Sequence, residues 1–263
     1  MNLGHILQLR MLYKKQIMSL NKEMQKQGNF LFKNRSFIPI LLLIAAVIIY
    51  IFTDKFNIEE TNNFIIVNYK IFSLATSLIG LLIRVKVVGH TPPKTSGRNT
   101  NVGQVANELN TTGLYSLVRH PLYVGNYLMW LGILMLTLNL YFIVISTLLY
   151  FIYYERIMYA EEQFIIAKFN DHYTKYSELT PAFFFNFKHY KKPLYKFDLK
   201  KVIKKEKNGF VAVFALFWLF DWIENILQNN ITYFECNNWF YAAIISVVIY
   251  LVLKVMKKKK MFN

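Results

Sequence analysis

The stretch LVRHPLYVG, residues 117–125, sets Arg119 and His120 directly before Pro121, at the mouth of a long apolar run. Proline suits the first turn of a helix, where its missing N–H costs nothing, and it pushes the residue before it toward an extended conformation. Arg119 and His120 therefore sit on a bent approach to a helix N-terminus. Free N–H groups and the positive end of the helix dipole favour an anion there. Gly125, one turn further in, lets a ligand or another helix approach closely. A second ionisable group follows in YERIMYAEEQF, residues 154–164, which carries Glu155, Glu161 and Glu162. On one helix Glu155 and Glu162 share a face, and Glu161 is offset by about 100° from Glu162. Carboxylates so placed can hold an amino group or hydroxyls, or take up a proton. Taken alone, Arg-His-Pro reads rather as an interface marker, and Gly125 as a helix-packing contact.

Two apolar runs, 121–138 and 140–158, separate these groups, joined by little more than Asn139. A hairpin that tight makes its two polar ends neighbours, so the basic pair and the carboxylates are expected to meet. The rest of the chain fits the same picture. Of its 263 residues 55% are hydrophobic, yet the formal charge is +16. Long apolar runs joined by basic loops indicate membrane spans. Residues 37–53, 64–83, 140–158 and 239–256 come near spanning length, and 121–138 and 209–227 join them. The expected fold is all-α: a polytopic transmembrane bundle of about six spans with a pocket at its cytoplasmic side. Of the 31 Lys and Arg residues, 29 fall on one side of this bundle. The positive-inside rule makes that side, and both termini, cytoplasmic, at the inner membrane if the source is bacterial.

The division that follows is a basic N-terminal segment (1–36), a membrane core (37–181), a basic surface segment (182–208) and a C-terminal helical pair with a basic tail (209–263). The first segment reads as a surface helix, and the terminal KKKK run as a headgroup anchor. The single cysteine, Cys236, excludes an internal disulfide, and five scattered histidines show no metal-ligand spacing. The basic charge flanks apolar runs, which argues against nucleic acid. Asp221 and Glu224, near the outer end of the fifth span, are expected to face water. His90 and His172 read as solvated loop residues. The polar stretch 90–104 is either a lid or a plain connector.

TTGLYSLVRHPLYVGNYLMWLG (111–132) followed by YAEEQFIIAKFNDHYTKYSELTP (159–181) resembles the integral-membrane methyltransferases, the isoprenylcysteine carboxyl methyltransferase and phospholipid methyltransferase family. The family pattern falls on Gly113, Tyr115, Arg119, His120, Pro121, Tyr123 and Gly125, then on Glu161, Glu162, Phe169, Tyr173, Tyr176 and Pro181. Asn170 replaces the family's glycine, and Asn is the next most tolerant residue at positive φ. The two spans after residue 208 exceed the family core and either shape a substrate entrance or add packing surface. The resemblance implies S-adenosylmethionine as cofactor, contacted by His120, Pro121, Tyr123, Gly125 and Glu162, with Tyr115 a weaker candidate. It implies methyl transfer to a lipid or lipid-linked carboxylate, phosphate or amine at the cytoplasmic interface. Arg119 would orient an acidic acceptor, which needs no base, and Glu161 would take the proton from an amine. A membrane sterol-type reductase using a reduced nicotinamide nucleotide and a non-enzymatic membrane subunit are the alternatives.

Overall fold

The computed structural model describes residues 20–53, 63–92, 104, 106–229 and 236–258. Most of the polar stretch 90–104, the first 19 residues and the end of the KKKK run lie outside them. The described residues form eight α-helices and no strand: α1 (Leu20–Lys33), α2 (Ile38–Phe52), α3 (Asn63–His90), α4 (Pro121–Met135), α5 (Leu140–Phe169), α6 (Asp171–Leu179), α7 (Leu199–Asn229) and α8 (Asn238–Lys258). Of these, α3, α5, α7 and α8 are long and apolar enough to cross a membrane. Helices α2 and α4, of 15 residues each, are about 22 Å long at 1.5 Å per residue, short of the roughly 30 Å hydrocarbon core. With them the bundle has the six apolar helices that the sequence indicates, and the protein is a multi-pass integral membrane protein. Helix α1 meets α2 at 75°, so it lies across the end of the bundle rather than continuing through it.

Close approach of helices α3 and α4 builds the centre. Without a hydrophobic driving force between spans, small residues that let backbones touch do the packing. A Cβ on Gly80 would strike the Gly125 carbonyl, and one on Gly132 would strike Ser73 and Ser77. Ser77 Oγ donates to the Met129 carbonyl at 2.9 Å. Gly125 thus serves the helix contact of its two expected readings. Gly28 does the same for α1, which rests on Arg156 and Ala160 of α5.

The α4–α5 turn is longer than one residue. Helix α4 stops at Met135, Leu138 takes φ 55°, and Asn139 Oδ1 accepts from Phe142 N at 2.9 Å to cap α5. Helix α5, with 30 residues, is about 45 Å long, so its last third outruns the hydrocarbon and carries Glu161 and Glu162 to the polar end. Asn170 ends it at φ 45° and starts α6; asparagine tolerates that left-handed backbone where most residues would be strained. At the opposite end of the bundle, Lys70 on α3 pairs with Glu224 (2.8 Å) and Asp221 (3.8 Å) of α7, and Tyr50 of α2 donates to Glu224 at 2.8 Å. Those two acids, expected to face water, instead tie three helices together around a partly buried lysine.

Candidate functional site

The approach to α4 is held by the segment that follows α6. Arg119 N donates to the Pro181 carbonyl (2.8 Å), His120 N to that of Ala182 (3.2 Å), and Asn186 N to that of Leu117 (2.9 Å). Gly113, at φ 62°, opens a 3₁₀ turn over Gly113–Ser116 and donates to Lys191 O at 2.9 Å. The backbone amides of Arg119 and His120 are therefore engaged by protein carbonyls rather than presented to a ligand. His120 occupies the N-cap position of α4 at φ −121°, ψ 58°, and Pro121, fully buried, is the first helical residue.

The hairpin joins the two ionisable groups as its tight turn requires. Glu162 Oε1 accepts from Arg119 Nε at 2.9 Å and lies 2.9 Å from His120 Nε2, while Glu162 Oε2 lies 3.4 Å from Arg119 Nη2. His120 Nδ1 is 3.7 Å from Glu161 Oε2. Arg119 Nη1 also donates to the carbonyls of Ser177 (2.8 Å) and Thr180 (3.0 Å) at the end of α6. Each guanidinium nitrogen of Arg119 thus has a protein partner. This one side chain binds α4, α5 and α6 to each other. Glu155, about two turns earlier on α5, is exposed.

Beside the cluster opens a cavity of about 1020 Å³. Tyr115, Arg119, His120, Tyr123, Glu161, Tyr173 and Tyr176 line it; Pro121, Gly125 and Glu162 do not. The roughly 100° between the two glutamates separates them: Glu161 turns to the cavity, and Glu162 turns to the basic pair behind its wall. The aromatic lining is continuous. The rings of His120 and Tyr123 stack at 5.7 Å, and Tyr123 meets Tyr154 at 4.5 Å. Tyr176 donates to the Tyr115 carbonyl at 2.6 Å. Tyr173 is 2% exposed, and its hydroxyl has no hydrogen-bond partner among the described residues. Burial, followed by the Glu162 charge, pushes the Tyr173 phenol far above its ordinary range. Burial does the same to Tyr115, aided by Glu161, and to Tyr176, aided by Tyr115. All three phenols therefore stay protonated and can donate. A buried donor without a hydrogen-bond partner is costly, and the Tyr173 hydroxyl sits on the Glu162 side of its ring.

A second ionisable cluster lies on the same cavity and escaped the motif-based reading. Arg84 of α3 donates from Nε to Glu206 Oε2 (2.7 Å) and from Nη2 to Glu206 Oε1 (2.8 Å), and from Nη1 to Asn126 Oδ1. Glu206, on α7, is 4% exposed. Its one sequence signal is a single acid inside the basic run KKEK, residues 204–207. No group of His, Cys, Asp and Glu suited to a metal ion occurs among the described residues.

Residues 69–172 match the family model described as phospholipid methyltransferase. A cobalt-zinc-cadmium resistance protein, CzcN, of Cupriavidus metallidurans is 38% identical over 82 residues, covering 31% of this chain and 38% of the relative. A nickel-cobalt-cadmium resistance protein, NccN, of Alcaligenes xylosoxydans xylosoxydans is 34% identical with the same coverage. The protein-S-isoprenylcysteine O-methyltransferase of Schizosaccharomyces pombe is 32% identical over 74 residues, 28% of this chain and 31% of the relative. The chain thus spans less than two-fifths of the length of these relatives. No solved structure matches it. The matched segment runs from α3 to the first residues of α6 and carries both halves of the ionisable cluster; over it the chain is similar to the integral-membrane methyltransferases.

Proposed function

We propose that the protein is an S-adenosylmethionine-dependent methyltransferase acting on a lipid or lipid-linked group at the cytoplasmic membrane interface. The observation that carries this reading is the cavity shared by Glu161, His120, Tyr115 and Tyr123, which belong to the segment of methyltransferase type, and by Tyr173 and Tyr176 just beyond it. These residues fit the cofactor chemically. Aromatic faces attract a cation that has left water, Glu161 suits an amino group or ribose hydroxyls, and the phenol of Tyr173 suits a carboxylate or ring nitrogen. At about 1020 Å³ the cavity lies at the upper end of the roughly 300–1,000 Å³ typical of small-molecule sites.

When bound, S-adenosylmethionine supplies an electrophilic methyl group on a sulfonium sulfur. The chain's own share is to align donor and acceptor in a water-poor pocket, where orientation alone contributes strongly to rate. Glu162 fixes Arg119 and His120, and through them the junction of α4, α5 and α6, so it acts as a positioning residue. Glu161 is the carboxylate that faces the cavity. An amine acceptor would pass its proton to Glu161, whereas a carboxylate or phosphate needs no base. The excess of Lys and Arg on this side of the bundle supports a cytoplasmic position for the site. Purified protein in lipid nanodiscs should bind radiolabelled S-adenosylmethionine, and Glu161→Gln and Tyr123→Ala should each weaken that binding while helicity is retained. Wild-type protein that is folded yet binds none would overturn the reading.

A further inference from the structure

Residues 182–197, between α6 and α7, form a strap whose only regular element is the short 3₁₀ turn Phe187–His189. Its backbone polar groups turn inward. The Pro181 and Ala182 carbonyls accept from Arg119 and His120, and Asn186 N donates to the Leu117 carbonyl. Lys191 N donates to Ser116 Oγ at 2.9 Å, and the Lys191 carbonyl accepts from Gly113. Further on, Leu194 N donates to Thr112 Oγ1 at 3.2 Å and the Tyr195 carbonyl lies 2.9 Å from His90 Nδ1. Asp198 N then donates to the Gly89 carbonyl at 2.9 Å. The strap is thus laced along the whole approach to α4 and onto the end of α3.

Many of its side chains turn outward. Phe184, Phe187 and Leu194 are 73%, 73% and 74% exposed, and Tyr190 and Phe197 are exposed beside them. Exposed apolar surface of this extent marks an interaction site. At one end Phe183 and Phe184 meet Phe151 of α5 at 4.8 and 6.4 Å, next to Leu148, Leu149 and Ile152, which face outward from that span. The strap therefore continues the lipid-facing flank of α5 toward the polar end of α3. Lys188, Lys191, Lys192 and Lys196 interleave with the aromatic residues and are all exposed, and residues 182–197 contain no Asp or Glu. No carboxylate among the described residues pairs with these four amines. Irregular backbone tolerates a bilayer only where its polar groups are paired elsewhere, which the lacing achieves. Aromatic rings gather at headgroup level, and lysines there are attracted to anionic lipids. Charge and continuity with the α5 flank both favour a membrane surface over a protein as the occupant.

We propose that the strap 182–197 docks on an anionic bilayer surface, and that this docking holds the Arg119–His120 approach in its ligand-ready position. The occupant is the headgroup layer outside the cavity, not a molecule that enters it. Docking stands on the strap alone, whereas its effect on the donor rests on the methyltransferase reading.

The test uses the full chain in nanodiscs of phosphatidylcholine alone and of equal parts phosphatidylcholine and phosphatidylglycerol. Cys236, which is exposed, is replaced by serine, and Leu194→Cys carries a nitroxide whose relaxation by oxygen and by a water-soluble nickel chelate reports immersion. In the mixed nanodiscs the label is expected to be open to oxygen and shielded from nickel, and in the neutral ones to be several-fold more accessible to nickel. The triple reversal Lys188→Glu/Lys191→Glu/Lys192→Glu is expected to abolish the difference, and the matching Gln variant, which only removes charge, to reduce it. S-adenosylmethionine affinity of the chain without the label is expected to be several-fold higher in the mixed nanodiscs, a gain lost in the triple reversal while helicity is kept. Nickel access in both membranes would overturn docking and leave the strap as a surface for a soluble partner. Equal shielding in both, unchanged by the triple reversal, would overturn the role of charge. Intact docking with equal donor affinity in both membranes would overturn the coupling. A folded protein that docks yet binds no S-adenosylmethionine in either membrane would refute the methyltransferase reading and leave docking standing, so the two failures are distinguishable.

Discussion

Glu162→Gln isolates the positioning role of the α4–α5 clamp. Glutamine keeps the size of glutamate and one carbonyl acceptor but loses the charge and the second acceptor oxygen. In the structure Glu162 meets Arg119 at 2.9 and 3.4 Å and His120 at 2.9 Å, with the arginine and glutamate side chains 17% and 19% exposed. A hydrogen bond to a charged group contributes roughly 1.5–3 kcal/mol, and partial exposure moves this pair toward the lower end through solvent screening. The substitution should therefore cost about 2 kcal/mol in all. Arg119 keeps its contacts to Ser177 and Thr180, so the guanidinium stays in place and the loss falls mainly on the orientation of His120. If that cost is expressed in the ligand-ready arrangement, affinity for S-adenosylmethionine drops about thirtyfold. The assay is isothermal titration in nanodiscs, paired with a circular dichroism melt to confirm unchanged helicity. Affinity within threefold of wild type, alongside a His120→Ala variant that loses binding, would refute the positioning argument.

Other substitutions separate ligand contact from scaffold. Tyr173→Phe removes a buried hydroxyl that has no protein partner, so the melting temperature should hold or rise slightly while donor affinity falls several-fold; equal affinity would remove Tyr173 from the site. Gly125→Leu should drive a side chain into Arg84 and the Gly80 carbonyl, at a cost of about 1–3 kcal/mol or more, read as a lower melting temperature and lost α3–α4 packing. Lys70→Met leaves Asp221 and Glu224 facing each other without their cation. It should destabilise the protein by about 2–3 kcal/mol with donor affinity per folded molecule unchanged, because that cluster lies at the opposite end from the cavity. A donor-affinity loss in Lys70→Met would mean that the two ends of the bundle are coupled.

Much of the site was legible because its parts are local. Proline at a helix start, a short hairpin turn and the 100° step between Glu161 and Glu162 are all backbone consequences of a few residues. The meeting of Arg119 and His120 with the carboxylates follows from them. The division of labour between the two glutamates was not legible, because the sequence gives their angular offset but not which of the two directions faces the cavity. The engagement of the Arg119 and His120 amides by Pro181 and Ala182 depends on a segment more than sixty residues away. Arg84–Glu206 is the clearest case of a long-range feature: 122 residues separate the partners, and each reads locally as one more charge in a basic, membrane-flanking stretch. The outer cluster escaped for the same reason. Asp221 and Glu224 read locally as water-facing acids, and only tertiary packing brings them to Lys70.

Methyl transfer itself is the most direct measurement. Membranes containing the protein, and matched membranes containing Glu161→Gln, would be incubated with S-adenosylmethionine labelled on its methyl group, and the lipid extract resolved by mass spectrometry. The account predicts label in a lipid or lipid-linked species, shifted by one methyl mass, that forms with the wild-type protein and is lost or greatly reduced with the variant. A folded, donor-binding protein that places no label in any extractable lipid or lipid-modified product would contradict it.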